Sequence, residues 1–342
     1  MLRSKITGLG IALPPRCVTN DDLSEVMDTS DEWVQKRTGI KQRYWAEANE
    51  DLSTSDLGAS AGVEALADAG LVPADIDMII FATLSPDASF PGSGCFLQAK
   101  MDIPAGVPAL DVRQQCTGFV YALSIADLYV RAGVHKNILV VGAEMQSKCV
   151  EINDRGRYMA VLFGDGAGAV VVSATEVESA EAKNSSESCI YSTHLHADGR
   201  FAKDLLWASP GTANRVWNPP ELVAEPAAFP QMNGRLVFTH AVRRMPEVAR
   251  EALEANGVTA DDVDLFINHQ ANARINEKFA DAMGVGKDKV FDTVDAFANT
   301  TAATIPIGLY EARKAGLLER GKLVSMATFG SGFTWASALL RW

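Results

Sequence analysis

Two distant stretches of this chain read as the same structural unit. Glu64-Ala-Leu-Ala-Asp-Ala-Gly-Leu-Val-Pro-Ala-Asp-Ile-Asp-Met-Ile-Ile-Phe aligns without gaps with Glu251-Ala-Leu-Glu-Ala-Asn-Gly-Val-Thr-Ala-Asp-Asp-Val-Asp-Leu-Phe-Ile-Asn, at an offset of 251 − 64 = 187 residues. Each reads as a helix end, a Gly cap, a short turn and a buried strand. A second echo pairs Asn137-Ile-Leu-Val-Val-Gly-Ala with Lys322-Leu-Val-Ser-Met-Ala. Two echoes in the same order predict two copies of one α/β unit related by a pseudo-twofold axis, with halves 1–175 and 176–342. A site between such halves draws residues from both.

Residue usage narrows the class. Of 342 residues, 47% are hydrophobic and 22% charged, as expected of a globular protein able to bury large cores. No apolar run reaches transmembrane length, and the first residues are expected to enter a strand without a signal peptide. The five cysteines show no CxxC spacing. They argue against a disulfide framework or a zinc site and fit a reducing cytoplasm. The net charge of −12 disfavours nucleic-acid binding and requires a local basic patch for any anionic ligand.

Three polar residues fall at element corners. Ala109–Val112 reads as a strand, and Phe119, Leu123 and Ala126 recur at helical spacing. Cys116 therefore lies at a helix N-terminus, where free N–H groups and the dipole favour the nucleophilic thiolate. A buried, inert cysteine is the competing reading. The second-half copy of the strand runs into Ile267-Asn-His-Gln-Ala-Asn-Ala-Arg274, putting His269 at a strand end. Asn299 precedes a small-residue helix start, where it could equally be an N-cap.

Other segments read as binding or packing features. Trp33 and Arg37 share a helix face and could stack a base and pair a phosphate, or simply pack on one another. The glycines of Phe163-Gly-Asp-Gly-Ala-Gly precede a Val-rich strand, which predicts close backbone packing rather than a phosphate loop. Val177–Glu187 reads as a junction, and the Pro-rich stretch 207–230 as a long excursion that could wall a site.

Gln115-Cys-Thr-Gly-Phe, Asn268-His-Gln-Ala-Asn, Ala298-Asn-Thr-Thr-Ala-Ala and Phe329-Gly-Ser-Gly-Phe-Thr-Trp335 together resemble the β-ketoacyl-acyl carrier protein synthase III family of the thiolase superfamily. The likeness extends to Asp28-Thr-Ser-Asp-Glu-Trp, Thr193-His-Leu-His-Ala-Asp-Gly199 and Trp342. It implies a duplicated five-layer α-β-α-β-α fold, a homodimer, and no metal or redox cofactor. It also implies a reaction. Cys116 takes an acyl group from acyl-CoA, and His269 and Asn299 hydrogen-bond the thioester carbonyl of malonyl-acyl carrier protein. Decarboxylation then gives an enolate that attacks the acyl-Cys116. The backbone N–H groups of Cys116 and Ser331 match the family's oxyanion positions. Coenzyme A contacts map onto Thr29, Trp33, Arg37, Arg155, Gly234, Phe238 and Asn272, the partner subunit's acyl pocket onto Phe90, and carrier docking onto Arg274.

The chain departs from the family pattern in several places. Gln114-Gln115 replace Ala-Ala before the nucleophile, Ala298 and Ser331 stand where Gly is usual, and the loop between Asp154 and Phe163 is longer. Two docking lysine positions hold Asp281-Ala282 and Thr239, for which Arg235, Arg243, Arg244 and Lys278 could substitute. Rival readings are a polyketide starter synthase, a head-to-head acyl-CoA condensing enzyme, an acyltransferase without decarboxylation, and a non-catalytic acyl-CoA-binding subunit. A papain-like Cys-His-Asn hydrolase is disfavoured by the repeat.

Overall fold

The computed structural model describes residues 1–47, 49–179, 181–183, 185–212 and 228–342. Most of the Pro-rich excursion, including Pro219, Pro220 and Pro226, lies outside the described residues.

The repeat resolves into two sheets of matching order. The first runs Leu2–Ala12, Gly166–Glu176, Asn137–Glu144, Met78–Ala82 and Ala109–Val112, with the last three strands mutually parallel and the first two pairs antiparallel. The second runs Cys189–Ala197, Thr334–Arg341, Leu323–Gly330 and Leu265–Phe266, antiparallel except for the last pair. Its fifth position is held by a single parallel bridge, Phe266 to Val290. Met78 and Leu265 start equivalent strands at 265 − 78 = 187, the offset of the sequence repeat.

The alternation of side chains explains the layering. Met78, Ile80 and Ala82 point to the interior, where they pack with Phe119, Leu123, Ala126 and Val130 of helix Gly118–Arg131. Leu265 and Ile267 reach the same cluster from the other sheet, together with Ile305, Leu309 and Ala312 of helix Thr304–Lys314. Ile79 and Phe81 face the opposite side, against Ala61, Ala65 and Leu66 of helix Thr54–Ala69. Phe266 likewise faces outward, against helices Gly234–Ala255 and Ala273–Met283. Two sheets thus enclose one pair of helices and carry another pair on each outer face, which gives five layers.

Close packing of that middle layer fixes its geometry. A Cβ on Gly142 would sit 2.4 Å from the Ala302 carbonyl oxygen, and one on Gly168 2.6 Å from Pro306 Cβ. The Gly-rich segment after Phe163 thus serves close packing against helix Thr304–Lys314 of the other half. Gly168→Ala is expected to lower stability by about 1–3 kcal/mol through overpacking, measured by urea denaturation.

Side-chain caps fix the short helices near the start of the chain. Thr19 caps helix Asn20–Ser24 through a capping box with Asp22. Ser30 caps helix Asp31–Thr38, which carries Trp33 and Arg37. Among the described residues no helix is long and apolar enough to cross a membrane.

Candidate active site

Cys116 occupies a single 3-10 turn, Gln115–Thr117, that feeds helix Gly118–Arg131. Gln115 takes a left-handed φ of +44°, a conformation that bends the strand sharply into the helix. The corner is pinned from the other half. Thr328 Oγ1 donates to the Cys116 carbonyl at 2.7 Å, and the hydroxyls of Thr117 and Thr334 lie 2.9 Å apart. A Cβ on Gly330 would be only 3.0 Å from that of Cys116, so Gly330 presses the hairpin turn carrying Ser331 against the nucleophile. Ser331 Oγ in turn donates to the Leu205 carbonyl at 2.5 Å.

His269 follows strand Leu265–Phe266 and keeps pairing beyond it, its N–H donating to the Ala327 carbonyl at 2.9 Å. Its Nδ1 lies 2.7 Å from Thr304 Oγ1, which also lies 2.9 Å from the Thr301 carbonyl. Asn299 Oδ1 accepts from the Thr301 N–H at 2.9 Å. Asn299 is not the helix N-cap, which is Thr300 for the turn Thr301–Ala303 and Ala303 for the helix after it; its oxygen is held in a local turn and its Nδ2 is the donor left for a ligand.

All three side chains line one cavity of about 490 Å³, within the usual range for a small-molecule site. Its walls include Trp33, Arg37, Gly234, Phe238, Asn272 and Arg274. Cys116 also lines a second, smaller cavity of about 250 Å³ with Ser331, Leu84 and Trp207. The nucleophile thus sits where a long passage meets a short chamber.

Burial sets the charge state. The Cys116 thiol is pushed up to about 12, first by desolvation and then by the nearby Glu144 carboxylate. This corrects the expectation of a resting thiolate. The helix N-terminus contributes only a fractional charge and does not offset removal from water. His269 is pushed down to about 3 by burial alone and is neutral at physiological pH. Alkylation of Cys116 by iodoacetamide should consequently keep rising by roughly tenfold per pH unit through pH 10, without the plateau near pH 7 of an activated thiolate. Peptide mass spectrometry across pH checks this.

The outer end of the passage rearranges one expectation. Arg155 is turned onto Glu151, its Nε 2.9 and 2.8 Å from the two carboxylate oxygens, and is not among the residues lining the passage. Arg157 is not among the lining residues either, but its guanidinium carbon lies 5.1 Å from the Trp33 ring centroid, while Arg37 covers the ring at 4.1 Å. Tyr158 adds a tilted contact at 5.7 Å. Sequence reading singled out only the first of the two arginines in Asp154-Arg-Gly-Arg-Tyr158. The longer loop and the second arginine were the available signals. Thr29 is not among the lining residues, although its buried Oγ1 has no hydrogen-bond partner. Asn272 lines the passage and also caps helix Ala273–Met283, while its Nδ2 donates to the Arg37 carbonyl at 2.9 Å.

Other expected residues fall outside the cavities or on their rims. Phe90 is 85% exposed and is not among the residues lining either cavity. Arg274 lies over the Phe238 ring at 5.6 Å, at the passage wall. Arg243 and Arg244 are both held by Glu247, and Lys278 by Asp281.

The sequence matches the family of 3-oxoacyl-[acyl-carrier-protein (ACP)] synthase III over residues 110–199, and that family's C-terminal region over residues 253–342. The chain belongs to the 3-oxoacyl-[acyl-carrier-protein] synthase III family. A β-ketoacyl-[acyl-carrier-protein] synthase III of Thiobacillus denitrificans is 43% identical over 100% of both chains. The crystal structure of the Aquifex aeolicus 3-oxoacyl-[acyl-carrier-protein] synthase III superposes with a TM-score of 0.87 at 41% identity, covering 99% of this chain and 100% of that one. The priming β-ketosynthase of the R1128 polyketide pathway superposes at 0.86 with 31% identity, covering 99% and 96%. The five-layer architecture is therefore the thiolase-type fold of this family, and the chain is an acyltransferase-type condensing enzyme.

Proposed function

We propose that this synthase III joins an acyl-CoA primer to malonyl-acyl carrier protein, releasing CO2 and CoA and giving a 3-oxoacyl-acyl carrier protein for the start of fatty acid synthesis. The observation that carries this reading is the convergence of Cys116, His269 and Asn299 on one cavity from three corners of the duplicated fold.

The chemistry runs in two halves. In the first, Cys116 Sγ bonds to the primer carbonyl carbon, the C–S bond to coenzyme A breaks, and the thiol proton leaves with CoA. The backbone N–H groups of Cys116 and Ser331 take the developing oxyanion. In the second, the malonyl C–CO2 bond breaks and its electron pair forms an enolate. His269 and Asn299 Nδ2 stabilise the enolate oxygen, and the enolate carbon attacks the acyl-Cys116. The departing thiolate recovers a proton from solvent.

A neutral His269 suits this role, because an enolate needs a hydrogen-bond donor and not a strong base. The Thr304 hydroxyl lies between Nδ1 and the Thr301 carbonyl, so it can donate to either. Donation to Nδ1 puts the ring proton on Nε2. Loss of CO2 supplies the carbanion, so proton abstraction from carbon is not required.

Trp33 and Arg37 line the outer end of the passage, Arg157 lies beside Trp33, and the three are assigned to the nucleotide end of coenzyme A. Arg157→Ala is expected to raise KM for acyl-CoA about tenfold with little change in kcat, whereas Arg155→Ala moves it less than about twofold. Steady-state kinetics on the two variants checks this.

The test of the reaction is intact mass spectrometry after incubation with acyl-CoAs of graded length, followed by malonyl-acyl carrier protein. A Cys116 adduct that is discharged with CO2 release supports the reading. An adduct that malonyl-acyl carrier protein leaves in place overturns the condensation, and no adduct from any primer overturns Cys116 as the nucleophile. The assembly read as a homodimer, with Phe90 entering the partner's acyl pocket, is tested by sedimentation. A monomer would remove that role.

A further inference from the structure

The short chamber beyond Cys116 has one unusual wall. Among its described lining residues, Arg113 is the only one with a permanent charge. Among the described residues it forms no ion pair, and only its carbonyl oxygen is engaged, by Gln115 Nε2 at 3.4 Å. Arg113 is exposed in the single chain.

Its place in the chamber is set by what it shares. Leu84, Arg113 and Trp207 line both the chamber and a neighbouring groove of about 420 Å³, which Cys116 does not reach. These three residues therefore form the partition away from the passage. Cys116 and Arg113 thus line the same chamber, and Arg113 also reaches the groove beyond it. Between the two ends the walls carry Gln115, Gln146 and Thr301 as well as Met159, Phe163 and Leu205. Gln115 and Thr301 hold left-handed φ values of +44° and +47°, backbone states that a side chain disfavours and that persist only where the surroundings impose them.

We propose that Arg113 selects a short acyl primer ending in a carboxylate, the CoA half-thioester of a small dicarboxylic acid. The inference rests on the acyl-transfer reading above and names the primer class for that same site. A guanidinium is matched to a carboxylate in shape as well as charge, and a chamber of about 250 Å³ holds only a short chain. The surrounding charges permit it. Lys148 lines the groove behind the partition. Asp87, in the same groove, is occupied as an acceptor by Ser55 and Ser93. Glu144 lies behind the wall, where Leu84 N–H, Ser85 N–H and Ser85 Oγ take up its oxygens.

The experiment compares initial rates of Cys116 acylation by succinyl-CoA and butyryl-CoA, equal in carbon number and differing in the terminal carboxylate. Intact mass spectrometry reads both adducts in the wild type, in Arg113→Met and in Arg113→Lys. The expected succinyl-to-butyryl rate ratio is about tenfold or more in the wild type. It should fall at least about tenfold in the Met variant and be partly restored in the Lys variant. A wild-type ratio of one or below overturns the proposal, as does an unchanged ratio in the Met variant. Acylation by butyryl-CoA without discrimination sinks the primer class and leaves the transferase reading standing. Absence of any adduct from either thioester overturns both.

Discussion

Cys116→Ser is expected to lose the acyl adduct entirely and to lower condensation by roughly 10⁴-fold or more. A serine hydroxyl keeps the shape of the corner, so the fold and the two cavities persist. The buried site gives that hydroxyl no means of ionising. Cys116 is 8% exposed, and even the thiol is pushed up to about 12 there. An alcohol has a still higher pKa and forms an ester that a weak enolate attacks poorly. Residual decarboxylation of malonyl-acyl carrier protein should survive in the variant, because His269 and Asn299 are untouched. A CO2 assay run beside the mass measurement separates the two half-reactions. If the serine variant condenses at a tenth of the wild-type rate, Cys116 is not the nucleophile.

His269→Ala is expected to give the opposite split. Acylation of Cys116 should remain measurable, while decarboxylation and condensation fall about 10²–10³-fold, the usual loss on deleting one donor to a developing oxyanion. The same logic extends to the residue behind it. Thr304→Val keeps the volume and removes the hydroxyl 2.7 Å from His269 Nδ1. It should lower kcat for condensation about tenfold, with Thr304→Ser restoring it. Equal losses in acylation and condensation for both His269 and Thr304 variants would place the histidine in the first half-reaction instead.

What the sequence made legible depended on the type of signal. The duplicated unit could be read because its parts are local: a Gly cap, a turn and a short apolar run recur in order. Each makes the same structure wherever it occurs. Cys116, His269 and Asn299 could be placed at corners for the same reason. Their convergence could be expected only from the repeat and from the family likeness, since the sulfur and the imidazole are 153 residues apart in sequence, 269 − 116. The charge state of Cys116 was not legible. A helix N-terminus is a local feature, but the burial and the Glu144 carboxylate that outweigh it are contributed by distant segments. The contact of Arg157 with Trp33 was hidden similarly. Which arginine reaches Trp33 is decided by Glu151 capturing the first and Asp28 holding the second. The fifth position of the second sheet left almost no pattern, because a one-residue bridge at Val290 has no alternation to detect.

The two matching corners of the middle layer are not equal partners. The turn Gln115–Thr117 has its counterpart in Thr301–Ala303, at 301 − 115 = 186, and the left-handed Gln115 matches the left-handed Thr301. By that correspondence Cys116 faces Ala302 across the pseudo-twofold, and the strand offset of 187 sets His269 against Ala82. Ala302 and Ala82 are both buried in the central core, and a Cβ on Gly118 would lie 3.1 Å from Ala82 and 3.5 Å from Ala302. At the rotated counterpart of the reactive corner the chain thus carries methyl groups packed into the core. One copy of the corner holds the chemistry and the other serves as the keel beneath it.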